Sequence, residues 1–210
     1  MILEVFASGP ADTNAYLLAS SKTKQGVVID VPPDSAEILL ERIHELQINI
    51  AMILLTHSHW DHFADAFELK EKLNVPLYIH KEDAGNLEEP GSDRLPLYFP
   101  IKSVQPTGFL EDGQVLAVGE LQIEVIHTPG HTPGGVCFYL KEQKILFSGD
   151  TLFQGTIGNL SFPTARPARM WDSLKRLAAL PKETRVYPGH GDPTTIGKEQ
   201  WIANAQDRFN

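Results

Sequence analysis

The stretch Thr56-His57-Ser58-His59-Trp60-Asp61-His62 decides how this chain is read. It sets three imidazoles and a carboxylate close together, and the sequence on either side says what they stand on. Before it, Ala51-Met52-Ile53-Leu54-Leu55 is an unbroken apolar run of strand length, the pattern of a strand buried on both faces. After it, Phe63, Phe67 and Leu73 recur at helical spacing. The histidines therefore sit in a strand-to-helix turn. His57 and His59 alternate along extended backbone and point the same way, whereas Asp61 and His62 open the helix and point elsewhere, so one short turn can feed two metal ions. Taken alone, the stretch also fits solvated histidines capping a helix, with Asp61 at the positive end of the helix dipole.

Three residues downstream shift that balance. His131 follows Thr128-Pro129-Gly130, Asp150 follows Ser148-Gly149, and His190 follows Tyr187-Pro188-Gly189, each in a glycine-containing turn directly after a strand-like run. Seven donors exceed what one tetrahedral zinc takes, but they suit two adjacent ions that share a carboxylate and a water. The expectation is a dinuclear metallohydrolase. Zinc matches the nitrogen-rich set, and the carboxylates also admit iron or manganese. His127, at the end of the preceding strand, is expected to support the site rather than ligate. His44 and His80 read as surface residues, and Trp60 as packing under the site or lining its mouth.

Around these motifs the chain alternates strands and helices. Strands are expected at Ile2–Phe6, Ala15–Ala19 and Gly26–Asp30, then a helix over roughly 34–46 with Asp34 as its cap and Ile38, Leu39, Ile43 and Leu46 on one side. From Glu88 to Gly108 the run is rich in proline and lacks periodicity, which predicts a long surface loop. Strands follow at Val115–Val118, Leu121–His127, Gly135–Leu140 and Lys144–Ser148. A last helix over about Pro167–Leu180 precedes the strand Arg185–Tyr187. The ligand clusters lie at strand ends, where several turns can converge on one cleft.

Composition narrows the function classes. The 210 residues are 42% hydrophobic, enough for one fully cored domain over 1–210. A formal charge of -9 leaves no basic stripe for nucleic acid. No apolar run approaches a membrane span, and no secretory leader is visible at Met1-Ile2-Leu3-Glu4. The single cysteine, Cys137, lies in an apolar strand, reads as a small buried hydrophobe, and fits a reducing compartment, the cytoplasm by default. The expected partner is a small molecule, with neither nucleic acid nor membrane.

The His-x-His-x-Asp-His stretch, together with His131, Asp150 and His190, resembles the metallo-β-lactamase superfamily over about residues 10–200. That resemblance implies an α/β fold of four layers, αββα, two mixed β-sheets flanked by helices. Thr56 to His62 and the run Ser148-Gly149-Asp150-Thr151-Leu152-Phe153 look most like the hydroxyacylglutathione hydrolases (glyoxalase II) and their shorter bacterial relatives. The likeness implies one ion on His57, His59 and His131, a second on Asp61, His62 and His190, and Asp150 as bridge. In such a site the ions stand about 3.5–4 Å apart and the pKa of bound water falls from 15.7 to roughly 7, so a bridging hydroxide can attack a thioester carbonyl at neutral pH. Asp61 would orient that hydroxide, which makes Asp61 and Asp150 the catalytic carboxylates.

Substrate recognition is where the resemblance diverges. Glutathione-specific members resemble Gly-x-Gly-Lys-Phe-Tyr after the bridging aspartate, whereas this chain has Asn159 and Ser161 where the lysine and tyrosine would stand. Persulfide dioxygenases, which use one iron on the equivalents of His57, His131 and Asp150, resemble Gly-Arg-Thr-Asp-Phe there, and again Asn159 and Ser161 differ. A mononuclear iron dioxygenase and a lactonase or other small-ester hydrolase stand as alternatives. Asn159 is a candidate substrate contact, and Arg166, with Arg169 nearby, a candidate for binding a substrate carboxylate or phosphate.

Overall fold

The structure is a computed structural model describing residues 1–209. One six-stranded sheet runs in the order β1 (Ile2–Ser8), β2 (Thr13–Ala19), β3 (Gln25–Ile29), β4 (Asn49–Leu54), β5 (Leu77–His80) and β6 (Gly108–Leu110), antiparallel as far as β3 and parallel beyond it. The second has the spatial order β12 (Thr194–Thr195), β11 (Arg185–Pro188), β10 (Ile145–Gly149), β9 (Val136–Leu140), β8 (Leu121–His127) and β7 (Val115–Val118), antiparallel except for the parallel β10–β11 pair.

Side-chain alternation explains why these sheets stack. β2 is buried along its whole length because both of its faces are covered. Tyr16 and Leu18 point between the sheets, toward Val125, Phe138 and Phe147, while Ala15, Leu17 and Ala19 face the opposite way. On that outer face lies helix α1 (Ala36–Glu45), which buries Ala36, Leu39 and Ile43 at helical spacing. The outer face of the second sheet, with Cys137, Tyr139 and Leu146, takes the helix Pro167–Ala178 through Met170, Leu174 and Leu177. Proline opens that helix where its missing N–H costs nothing. The result is the expected four-layer arrangement of two mixed sheets flanked by helices.

Several local expectations are corrected. The carboxylate at the start of α1 comes from Asp65, whose Oδ2 accepts the Ser35 and Ala36 N–H groups at 3.0 and 3.1 Å; Asp34 takes a left-handed backbone instead. The helix after the histidine stretch is two pieces, α2 (Trp60–Phe63) and α3 (Ala66–Leu73), interrupted at Ala64–Asp65. Strands β5, β6 and β12 and the short helix α4 (Ala84–Glu88) carry no legible periodicity because each is only two to five residues long. The irregular segment after α4 does run to β6 as a loop. His80 is not a surface residue: at the end of β5 its ring is buried and stacks on His127, with centroids 4.0 Å apart. Among the described residues no helix is long and apolar enough to cross a membrane.

Candidate metal centre

All seven sequence-identified donors meet at one edge of the sandwich, each delivered by the end of a strand or the turn beyond it. His57 and His59 follow β4, Asp61 and His62 lie in α2, His131 sits in the β8–β9 connection, and Asp150 and His190 follow β10 and β11. Three overlapping groups have donor atoms within 4.8 Å of one another: His57, His59 and His131; His57, His62 and Asp150; and Asp61, His62 and His190. Asp150 lies between the outer two, with Oδ1 3.3 Å from His62 Nε2 and Oδ2 3.3 Å from His131 Nε2 and 3.5 Å from His190 Nε2.

Backbone carbonyls and neighbouring side chains aim the ring nitrogens. His131 Nδ1–H donates to the Asn159 carbonyl at 2.9 Å, and His190 Nδ1–H to the Ala11 carbonyl at 3.0 Å. His62 Nδ1–H donates to Asp30 Oδ2 at 2.8 Å. His57 Nδ1 stands 3.1 Å from Thr56 Oγ1, whose own hydroxyl donates to Asp30 Oδ2 at 2.7 Å. With Nδ1 engaged in this way, Nε2 of each ring is directed at the common centre.

The cluster fits metal on a direct observation. Nε2 of His57, His59, His62 and His131 and Oδ1 of Asp150 are buried and find no hydrogen-bond partner among the described residues. Orphaned buried polar atoms are costly, and here they converge. Nitrogen and carboxylate oxygen in this mixture suit a divalent transition ion.

Electrostatics divides the two ends. Burial lowers the pKa values of His57, His59 and His131, holding these three rings neutral. Burial also opposes charge on His62 and His190, but Asp61 and Asp150 outweigh it, raising His62 well above its ordinary value and His190 to about 9. Burial pushes Asp61 and Asp150 up, yet the facing histidines dominate and hold both below the usual carboxylate range.

Two buried aspartates outside the ligand motifs support this geometry. Asp30, with left-handed backbone at φ 57°, accepts from Thr56 N–H, the Thr56 hydroxyl and His62. Asp83 accepts from Ser58 N–H at 3.2 Å and Gly134 N–H at 2.6 Å, joining the loop of His57 and His59 to that of His131. Beside it, Asn86 donates its amide N–H to the Ser58 carbonyl and to Asp93 Oδ2. A lone aspartate at a strand end or in the turn before a short helix carries no ligand spacing, so the only sequence signal for Asp30 is its place at the end of β3. His127 belongs to none of the donor groups; its Nε2 donates to the Pro133 carbonyl at 3.0 Å.

A cavity of about 420 Å³ opens over the cluster. Trp60 forms part of its wall, and Asn159 lines it, though the Asn159 side-chain oxygen is occupied by the Ser161 N–H at 2.8 Å. Arg166 does not line it: its guanidinium turns back to the Thr164 and Ala165 carbonyls at 2.8 and 3.2 Å. Arg169 is likewise absent from the wall.

The sequence profile of the metallo-beta-lactamase superfamily matches residues 8–190, a span that contains every one of these donors. The chain belongs to the metallo-beta-lactamase superfamily. Among curated relatives in that superfamily, it is 34% identical to the hydroxyacylglutathione hydrolase GloC of Haemophilus influenzae, over 84% of this chain and 85% of that one. Among superfamily structures, BLEG-1, a B3 metallo-beta-lactamase, superposes with a TM-score of 0.87 at 35% identity, covering 94% of this chain and 96% of that one. TTHA1623 in a di-iron-bound form superposes with a TM-score of 0.78 at 40% identity, covering 93% and 96%.

Proposed function

We propose that the protein is a dinuclear-metal hydrolase of thioesters. The observation that carries this reading is Asp150: one carboxylate stands between two ligand groups, each of which brings three further donors. The likeness to a hydroxyacylglutathione hydrolase supports a thioester as substrate, and that to a di-iron protein supports two ions.

His57, His59 and His131 would hold one ion and Asp61, His62 and His190 the other, with Asp150 shared. Zinc suits the histidine-rich set, with iron or manganese as the alternative loading. Bound divalent ions supply Lewis acidity, which activates water at neutral pH and polarises a carbonyl. The protein's own groups do the positioning. Asp61, held ionised and fixed by the Thr13 hydroxyl at 2.8 Å, lies on the cavity wall and is placed to orient an attacking water. In hydrolysis the water oxygen forms a bond to the acyl carbon and gives up a proton to solvent, and the C–S bond breaks, the sulfur leaving with the electron pair as a thiolate. Such a leaving group needs no strong acid.

The test combines metal analysis with turnover. Protein loaded with zinc, iron or manganese is assayed on a panel of acyl thioesters, with a lactone, a β-lactam and a persulfide alongside and Asp150→Asn as control. Two ions per chain and thioester hydrolysis lost in the variant are expected. One iron per chain with oxygen consumption on the persulfide would replace this reading with a dioxygenase.

A further inference from the structure

The wall of the cavity above the donors is largely apolar. Its apolar part is built from Trp60, Leu95, Pro96, Tyr98, Phe153 and Phe162. These rings bracket the donors. Phe162 lies 5.2 Å from the His59 ring and 5.6 Å from His131, while Phe153 lies 5.9 Å from His190 on the other side. Trp60 makes edge contacts with Tyr98 at 5.7 Å and Phe99 at 5.5 Å, which fixes the segment carrying Leu95 and Pro96 beside the opening. Tyr98 is 73% exposed, a large aromatic held out at the rim.

The charged complement of the wall is equally informative. The chain has 18 lysines and arginines, and among the described residues none of them lines the cavity. The carboxylates that do, Asp61 and Asp150, are the proposed metal ligands. Arg166 is turned back on its own backbone, and Lys102 and Arg208 are spent over the rings of Phe67 and Trp201. A glutathione conjugate brings two carboxylates and an ammonium group, and beyond the ions themselves the wall offers those charges no lysine or arginine, so holding them against its apolar surface is costly. A flat or branched apolar group instead meets aromatic faces and edges on both sides of the reacting centre.

Resting on the hydrolase reading, we infer that this site selects neutral thioesters with an apolar, preferably aromatic, acyl group over charged glutathione conjugates. Trp60, Tyr98, Phe153 and Phe162 are the residues that determine the choice.

The test compares S-benzoyl-N-acetylcysteamine with S-benzoylglutathione, which share the acyl group and differ in the charge of the thiol. The neutral substrate is expected to show a kcat/KM higher by about tenfold or more, the ratio that corresponds to ~1.4 kcal/mol. Calorimetric binding of the non-hydrolysable thioethers S-benzyl-N-acetylcysteamine and S-benzylglutathione should show the same order. Tyr98→Lys, which places a cation at the exposed rim, should narrow both ratios, and Phe162→Ala should weaken the neutral ligand more than the charged one. Equal or better turnover and binding of the glutathione compounds by the wild type would overturn the inference and leave the hydrolase reading standing. If metal-loaded protein hydrolyses other thioesters of the panel but neither benzoyl compound, the inference falls and the hydrolase reading stands; if it hydrolyses no thioester at all, the hydrolase reading falls, and the thioether affinities still decide what the cavity prefers.

Discussion

Asp30 Oδ2 accepts the Nδ1–H of His62 at 2.8 Å, and the same oxygen receives the Thr56 hydroxyl that stands against His57. One buried carboxylate thereby orients an imidazole from each end of the cluster. Asp30→Asn should weaken metal binding about 10–100-fold, the usual consequence of losing an orienting partner behind a ligand. Competition with a chromophoric chelator measures it. Unchanged affinity at both sites would show that packing alone orients the rings.

Asp83 ties the two histidine loops together and is almost fully buried, so burial raises its pKa from 3.8 to about 6 despite the hydrogen bonds it accepts. Between those values the folded protein holds a proton that the unfolded chain has released. The cost of the buried charge is therefore present above pH 6 and relieved as pH falls toward 4. Measured on chelated protein against Asp83→Asn, which does not titrate, the wild type should gain relative stability through that window, with a slope approaching ~1.4 kcal/mol per pH unit. A slope of opposite sign in denaturant unfolding would mean that the folded carboxyl keeps its charge more readily than the unfolded one.

Gly189 packs directly under the Asp150 carboxylate. A Cβ there would stand 2.2 Å from Asp150 Oδ1 and 2.7 Å from His62 Cε1. Gly189→Ala should reduce the metal content below two ions per chain and lower kcat by at least about tenfold, with far-UV circular dichroism unchanged, because the clash is local to the centre. Full metal content in the purified variant would contradict that crowding.

Arg166 bonds backbone carbonyls of its own turn rather than facing the cavity. Arg166→Ala should accordingly leave KM within about twofold of the wild type for any substrate hydrolysed, since it removes no substrate-binding group. A large rise in KM confined to anionic substrates would restore the role that its position in the sequence suggests.

How far the site could be read in advance follows from what kind of signal each residue gives. His57, His59, Asp61 and His62 are close in the chain, and strand and helix geometry alone separates their directions. His131, Asp150 and His190 are announced by Gly turns at strand ends. Asp30 and Asp83 give no such signal, because a single aspartate becomes informative only when the N–H groups around it are known. The pairing of His80 with His127 joins the ends of β5 and β8, which belong to different sheets, so the local pattern that made His80 look exposed was overridden by packing.

By itself the sequence determined the apolar periodicities that make two buried sheets with covering helices, and the donor set that points to two metal ions, because both are matters of residue type at short spacing. Only the tertiary structure decided that Asp150 stands between two groups of donors, that Asp30 and Asp83 hold the histidine loops, that Arg166 turns away, and that among the described residues aromatic rings and no lysine or arginine wall the cavity. Those are relations between segments far apart in the chain, and they exist only once the two sheets have packed and brought their strand ends to one edge.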